Sequence, residues 1–168
     1  METLVAIAII MIAIAGPLVI AAKALTVSLY SRDQMIGSYL AQESMEVIKN
    51  TVDNNVASNA ASWLSTLDGC DNTSQGIYHC DASAVSTRPV ATGNPVYPLY
   101  LGASGYNHDS IGSASIFSRY FYISLPSSDA PCLAVSNQEC QVHVVVSWNE
   151  GTVPNEIDLS SEITDAIR

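Results

Sequence analysis

Few side chains in this sequence are arranged for chemistry, and four of those are cysteines. Cys70 and Cys80 are separated by nine residues, Cys132 and Cys140 by seven. A paired-cysteine zinc site needs two to four intervening residues, so the spacing is wrong for a metal knuckle. An even number of cysteines in short polar loops predicts two disulfides in an oxidising compartment. Three connectivities are open. The expected one joins Cys70 to Cys80 and Cys132 to Cys140, each short loop worth roughly 2–3 kcal/mol. The histidines offer less. His79, His108 and His143 lack metal-type spacing, and no His-Glu-x-x-His, Gly-x-Ser-x-Gly or phosphate-loop pattern occurs. His108-Asp109-Ser110 are chain neighbours in a Gly/Ser loop, and adjacent residues do not make a triad. Asp68, Asp71 and Asn72 are oxygen ligands of the kind calcium takes, but they are equally ordinary turn formers. Asn72-Thr73-Ser74 fits a glycosylation sequon. No catalytic residue, metal or cofactor is expected, and the chain is not expected to be an enzyme.

The remaining chemical oddity is a lone acid. Glu2 stands just ahead of Leu4–Ala22, LVAIAIIMIAIAGPLVIAA, nineteen residues without a charge. A helix of that length spans roughly 28 Å, close to the ~30 Å hydrocarbon core of a bilayer. A buried helix of a soluble domain would be amphipathic, whereas this one is apolar all round. A signal peptide would carry basic residues ahead of the apolar run, and here the flanking charge is acidic. Residues 1–23 are therefore expected to form a membrane-spanning helix, ended by Lys23. A carboxylate carried to a membrane boundary is costly and implies a partner. Gly16-Pro17 is a second irregularity: proline deletes a backbone hydrogen bond that neighbouring helices in a membrane can replace.

The helix is expected to continue as an amphipathic segment over 24–55. No proline interrupts it, and Leu25, Leu29, Ile36, Leu40, Val47 and Ile48 recur at helical spacing, flanked by Met35 and Tyr39. A continuous helix from Glu2 to about Asp53 would be ~78 Å long, far beyond the globular mean.

Glu2-Thr3-Leu4-Val5-Ala6-Ile7-Ala8-Ile9-Ile10 resembles the start of type IV pilins and the pseudopilins of type II secretion systems, nearest the minor-pilin branch. The match is specific over Glu2 to about Ala22, compatible to about Asp53, and architectural beyond. The resemblance implies a structural filament subunit whose N-terminal helices pack into a core. Leu4, Ile7, Ile10, Ile14, Gly16 and Pro17 would lie in that core. It also implies that Glu2 neutralises the N-terminal amine of a neighbouring subunit. The implied partners are other copies of the chain and other pilins. The implied location is the bacterial inner membrane first, then an extracellular pilus or secretion pseudopilus. The stretch that in the family holds a basic leader and the cleavage-site glycine is represented here only by Met1, which leaves the peptidase site and N-methylation unread. Gly16-Pro17 also lies a few residues before the family's usual proline.

Residues 56–168 are expected to form a disulfide-containing, β-rich domain. Val56–Leu67 reads as a short second helix, and Asp68–Asn94 and Gly102–Ser115 as turn-rich chain. Ile116–Leu125, Gln141–Trp148 and Asn155–Thr164 alternate as strands, the last two joined by a hairpin loop at Asn149–Pro154. The fold class is thus α+β: a long helix, membrane-spanning first and amphipathic second, packed on an antiparallel sheet. The resemblance implies the same ladle-shaped layout. Val142, Val144, Val146 and Trp148 are expected to face the helix, with His143, Val145 and Ser147 on the mixed opposite face. After Val56 there are eleven acids against three bases, which repels phosphate backbones and argues against nucleic acid as a partner. A membrane-anchored binding or adhesion domain is the competing expectation. A plain anchor has no use for Glu2.

Overall fold

The computed structural model describes residues 2–58, 60, 62–67, 70, 72–73, 76–77, 79–83, 86–90, 98–103, 105–108, 112–128, 130, 132 and 139–165, with the backbone alone for most of 72–90. The chain divides into two compact units, Met1–Ile36 and Gly37–Arg168.

Helix α1 (Glu2–Ala57) is a single element of 56 residues that runs through Pro17. In the first unit it is long and apolar enough to cross a membrane, and none of its most apolar stretch is buried. In the second unit its buried positions are Gly37, Leu40, Ala41, Ser44, Met45, Ile48, Val52 and Asn55. Steps of three and four residues keep this stripe on one face. The expected stripe was partly different. Leu40 and Ile48 belong to it and Val47 lies at its margin, but Leu25, Leu29, Met35 and Tyr39 are exposed. Small or polar Ala41, Ser44 and Asn55 take core positions that a search for large apolar residues passes over.

The expected second helix is absent among the described residues. α1 itself runs on to Ala57, and only a 3₁₀ turn follows, η1 (Ser65–Leu67). Side chains compete with the helical ladder here. Ser58 Oγ donates to the Asn55 carbonyl at 3.1 Å, and Ser62 Oγ accepts from the Leu64 N–H at 3.3 Å. Asn55 Nδ2 donates to the Trp63 carbonyl at 3.0 Å and to Thr66 Oγ1 at 2.8 Å, pinning the turn so that Leu64 and Leu67 are buried.

Nine strands follow among the described residues. β1 (Asn72–Thr73) and β2 (Gly76–Ile77) form a two-stranded ribbon. A seven-stranded antiparallel sheet is built from β3 (His79–Ser83), β4 (Ser86–Val90), β5 (Pro98–Gly102), β6 (Gly105–Asn107), β7 (Ser113–Ser124), β8 (Glu139–Glu150) and β9 (Val153–Thr164). β7 pairs along one edge with β8, from Phe117↔Trp148 to Ser124↔Gln141. Its other edge is shared: β5 lies beside its first half and β3 meets it at Cys80↔Phe121. β8 and β9 pair without a break from Glu139↔Thr164 to Glu150↔Val153. Their turn is therefore tighter than the loop expected, with Gly151 at φ 63°, a conformation glycine adopts without a Cβ penalty. The three long strands stand where alternation placed them: β7 begins three residues earlier and ends one sooner, β8 gains two at each end, and β9 gains two at its start. β1–β4 and β6, by contrast, occupy segments expected to be turn-rich, because short strands at a sheet edge carry little apolar alternation.

The helix-facing layer contains Phe117, Phe121 and Ile123 of β7, and Val142, Val144, Val146 and Trp148 of β8, all buried. The register expected for β8 is the one observed. One correction applies to its other face. Val145, expected at the surface, is 3% exposed, lying in register between Tyr120 and Asp158. At Gly37 helix and sheet are close: a Cβ there would sit 3.0 Å from the Trp148 ring and 3.1 Å from Ile157 Cδ1. Taken with the helix stripe, this is the α+β packing that the sequence implied.

Candidate functional site

The assembly residues singled out from the sequence lie together on the first unit's helix. Glu2 is in the first turn of α1, where an acid also suits the positive end of the helix dipole. Leu4, Ile7, Ile9, Ile10, Met11, Ile12, Ile14, Leu18 and Ile20 are 52–76% exposed, facing every side of the helix. Burying one such side chain is worth roughly 1.5–3 kcal/mol, so an uncovered row of this length needs lipid or other protein around it. Gly16 adds a small notch, with no atom within 4 Å of where a Cβ would stand, next to Pro17. Small residues at such a point allow another helix to approach closely.

The second unit holds the cysteines. Cys70 is bonded to Cys80 and Cys132 to Cys140, with Cα–Cα separations of 5.4 and 5.8 Å. The first bond ties the chain after η1 to β3, and the Cys70 carbonyl accepts from the Ile123 N–H of β7 at 2.8 Å. All four cysteines are buried, so these are structural cross-links with no exposed thiol.

The sequence assigns no role to Arg119, which shares one set of alternate positions along β7 with Phe117, Phe121 and Ile123. It is 1% exposed. Nη1 donates to the Leu40 carbonyl of α1 at 3.0 Å and to Glu43 Oε2 at 3.3 Å, while Nη2 donates to the Ala82 carbonyl of β3 at 2.7 Å. One guanidinium thus joins helix, central strand and a disulfide-bearing strand. The planar fork suits several acceptors at fixed angles, as an ammonium would not. The signal was available in principle, since an arginine among Phe117, Phe121 and Ile123 must find partners or leave its face.

The sheet's other face carries the remaining titratable groups. The His143 ring stacks on Tyr122, centroids 4.7 Å apart and 3° from parallel, and its Nδ1 lies 3.4 Å from the Asp158 carboxylate. Beside them, burial raises the Tyr120 phenol above the usual tyrosine range, aided by Glu156, Tyr122 and Asp158. Ser118, Ser147 and Glu156 form the next cross-strand row, lining an open depression of about 510 Å³. His143 is in the row of Tyr122 and Ser160, two rows from the Ser118–Ser147 pair, and its ring engages Tyr122 and Asp158. Among the described residues, no three of His, Cys, Asp and Glu converge to hold a metal. His108 is half-buried, but Asp109 and Ser110 lie outside the described residues, as do Asp68, Asp71, Ser74 and the side chains of Asn72 and His79.

No family model, curated protein or solved structure matches the chain. The functional reading therefore rests on the residues themselves.

Proposed function

We propose that the chain is a structural subunit of a type IV pilus or pilus-like filament, held together by packing of N-terminal helices. The observation that carries this reading is the first unit's helix, apolar on every side, uncovered, and headed by a single acid. Lipid satisfies the apolar surface before assembly; a bundle of like helices satisfies it afterwards. Only the second setting offers Glu2 a partner, the N-terminal amine of a neighbouring copy, with the pair's desolvation offset by mutual attraction. Gly16-Pro17 supports the same picture by permitting close helix approach. The precursor sits in the bacterial inner membrane and the assembled form is extracellular, where the two disulfides persist. The partners are further copies and other pilins, and packing alone requires no cofactor.

The test is to shear surface filaments from the producing cell, purify them, and identify their protein by mass spectrometry. The proposal expects this chain in the filament with Glu2 near its N-terminus. Recovery of the chain solely as a membrane-bound monomer favours the anchored binding domain instead.

A further inference from the structure

We infer that the free edge of β9 is a docking site for an extended segment of a different protein, one that alternates basic and apolar residues. This inference stands independently of filament assembly.

Among the described residues β9 pairs with β8 alone, which leaves its other edge of backbone N–H and C=O groups without a strand partner. Sheet edges in stable proteins are usually blunted by bulges, inward charges, interior prolines or very short strands. β9 has none of these over its central stretch. It is twelve residues long, its register with β8 shows no bulge, and its one proline, Pro154, is at the start. Its inward positions Ile157 and Leu159 are apolar and only half-buried. A strand added here would extend the layer that packs on α1 and cover both.

The outward positions state what that strand must carry. Glu156, Asp158 and Glu162 are exposed and share one face with Ser160. Residues directly across an antiparallel pair are close neighbours, so an incoming strand meets these acids one by one. Opposite charges there stabilise and like charges destabilise. A second copy presenting its own β9 would set acid against acid. The chain's six cationic residues, Lys23, Arg32, Lys49, Arg88, Arg119 and Arg168, supply no alternating basic strand either. The edge therefore discriminates against self-pairing while remaining open to a basic strand, the combination that specificity by repulsion requires.

The experiment uses the full chain in detergent micelles and a labelled peptide, Lys-Val-Lys-Ile-Lys-Val-Lys-Ile-Lys. The control peptide has the same composition with its lysines gathered at one end. Binding is read by fluorescence anisotropy and by hydrogen exchange of β9 amides. The expected result is binding of the alternating peptide at least about tenfold tighter than the control, with new protection along β9. The double variant Glu156→Lys/Glu162→Lys should lose that peptide and gain one alternating Glu with Val and Ile, which also shows that the variant is folded. Equal affinity for the two lysine peptides, no binding, or binding without protection in β9 would overturn the proposal. Concentration-dependent protection of β9 without peptide would overturn it too, by assigning the edge to a second copy. The wild-type exchange result decides the matter even where the double variant does not fold.

Discussion

One helix presents two surfaces. From Gly37 to Ala57, α1 has a stripe of mostly small or aliphatic residues, and the chain's own sheet buries it. Before that, Leu4 to Ile20 is apolar on every side and the same chain buries none of it. The contrast separates two uses of apolar surface. A stripe with a polar back is satisfied within one molecule, whereas a cylinder without a polar face demands surroundings from outside. Function is expected in the second region, and stability in the first.

Substitutions can break that contrast. The largest effect is expected in the second unit at Arg119, whose removal empties a buried site and takes a charged donor from the Leu40 and Ala82 carbonyls. Arg119→Ala should cost about 3–5 kcal/mol, the loss of a large buried side chain together with its charged hydrogen bonds, in thermal melts under non-reducing conditions, with membrane association unchanged. Ile10→Lys is the converse case. A lysine at the centre of a spanning helix opposes insertion by about 2.5–3.5 kcal/mol, so the membrane-bound fraction should fall while the melt of the second unit stays put. Parallel loss of both properties in either variant would mean the two regions are not energetically distinct.

Smaller substitutions sharpen the comparison within the sheet. Val144→Ala should cost on the order of 1–3 kcal/mol by opening space under the helix. His143→Ala, on the opposite face, removes a ring stack and should cost less. The reverse order would mean that the outer face, with buried Val145, is a second core. The smallest effect concerns alkaline pH. Tyr120 resists ionisation in the folded state, so above the ordinary tyrosine value the unfolded chain releases its proton first and stability falls as pH rises. Tyr120→Phe should make that fall shallower, and no change of slope would remove Tyr120 from the explanation.

The parts of the fold legible in sequence were those written as strong periodicity. Alternation marked β7, β8 and β9 as strands, and along β8 it specified which residues face the helix, because period two admits only two choices and one of them is apolar. The uncharged run behind Glu2 was equally plain. What stayed hidden was set by partners rather than by residue type. α1 ends at Ala57 and Asn55 anchors the turn beyond it through bonds to Trp63 and Thr66, so the described residues of 58–67 are not α-helical despite their apolar spacing. Ala41 and Ser44 lie in the stripe because backbone proximity, not bulk, is needed beside the sheet. The strands β1–β4 and β6 are short and mostly polar, and β3 is joined to the sheet's centre at Cys80↔Phe121, a long-range pairing that local sequence does not encode. The candidate site was legible as a segment, since helix geometry needs no partner to display an uncovered apolar surface.

The account turns on the acid at the head of that surface. The decisive measurement is membrane fractionation alongside filament yield for Glu2→Ala in the native producer. The prediction is an unchanged membrane-bound pool and loss of filaments, because the nineteen uncharged residues are intact while the charge proposed to pair with a neighbour is gone. Normal filaments built from the substituted protein would contradict the charge-pairing mechanism.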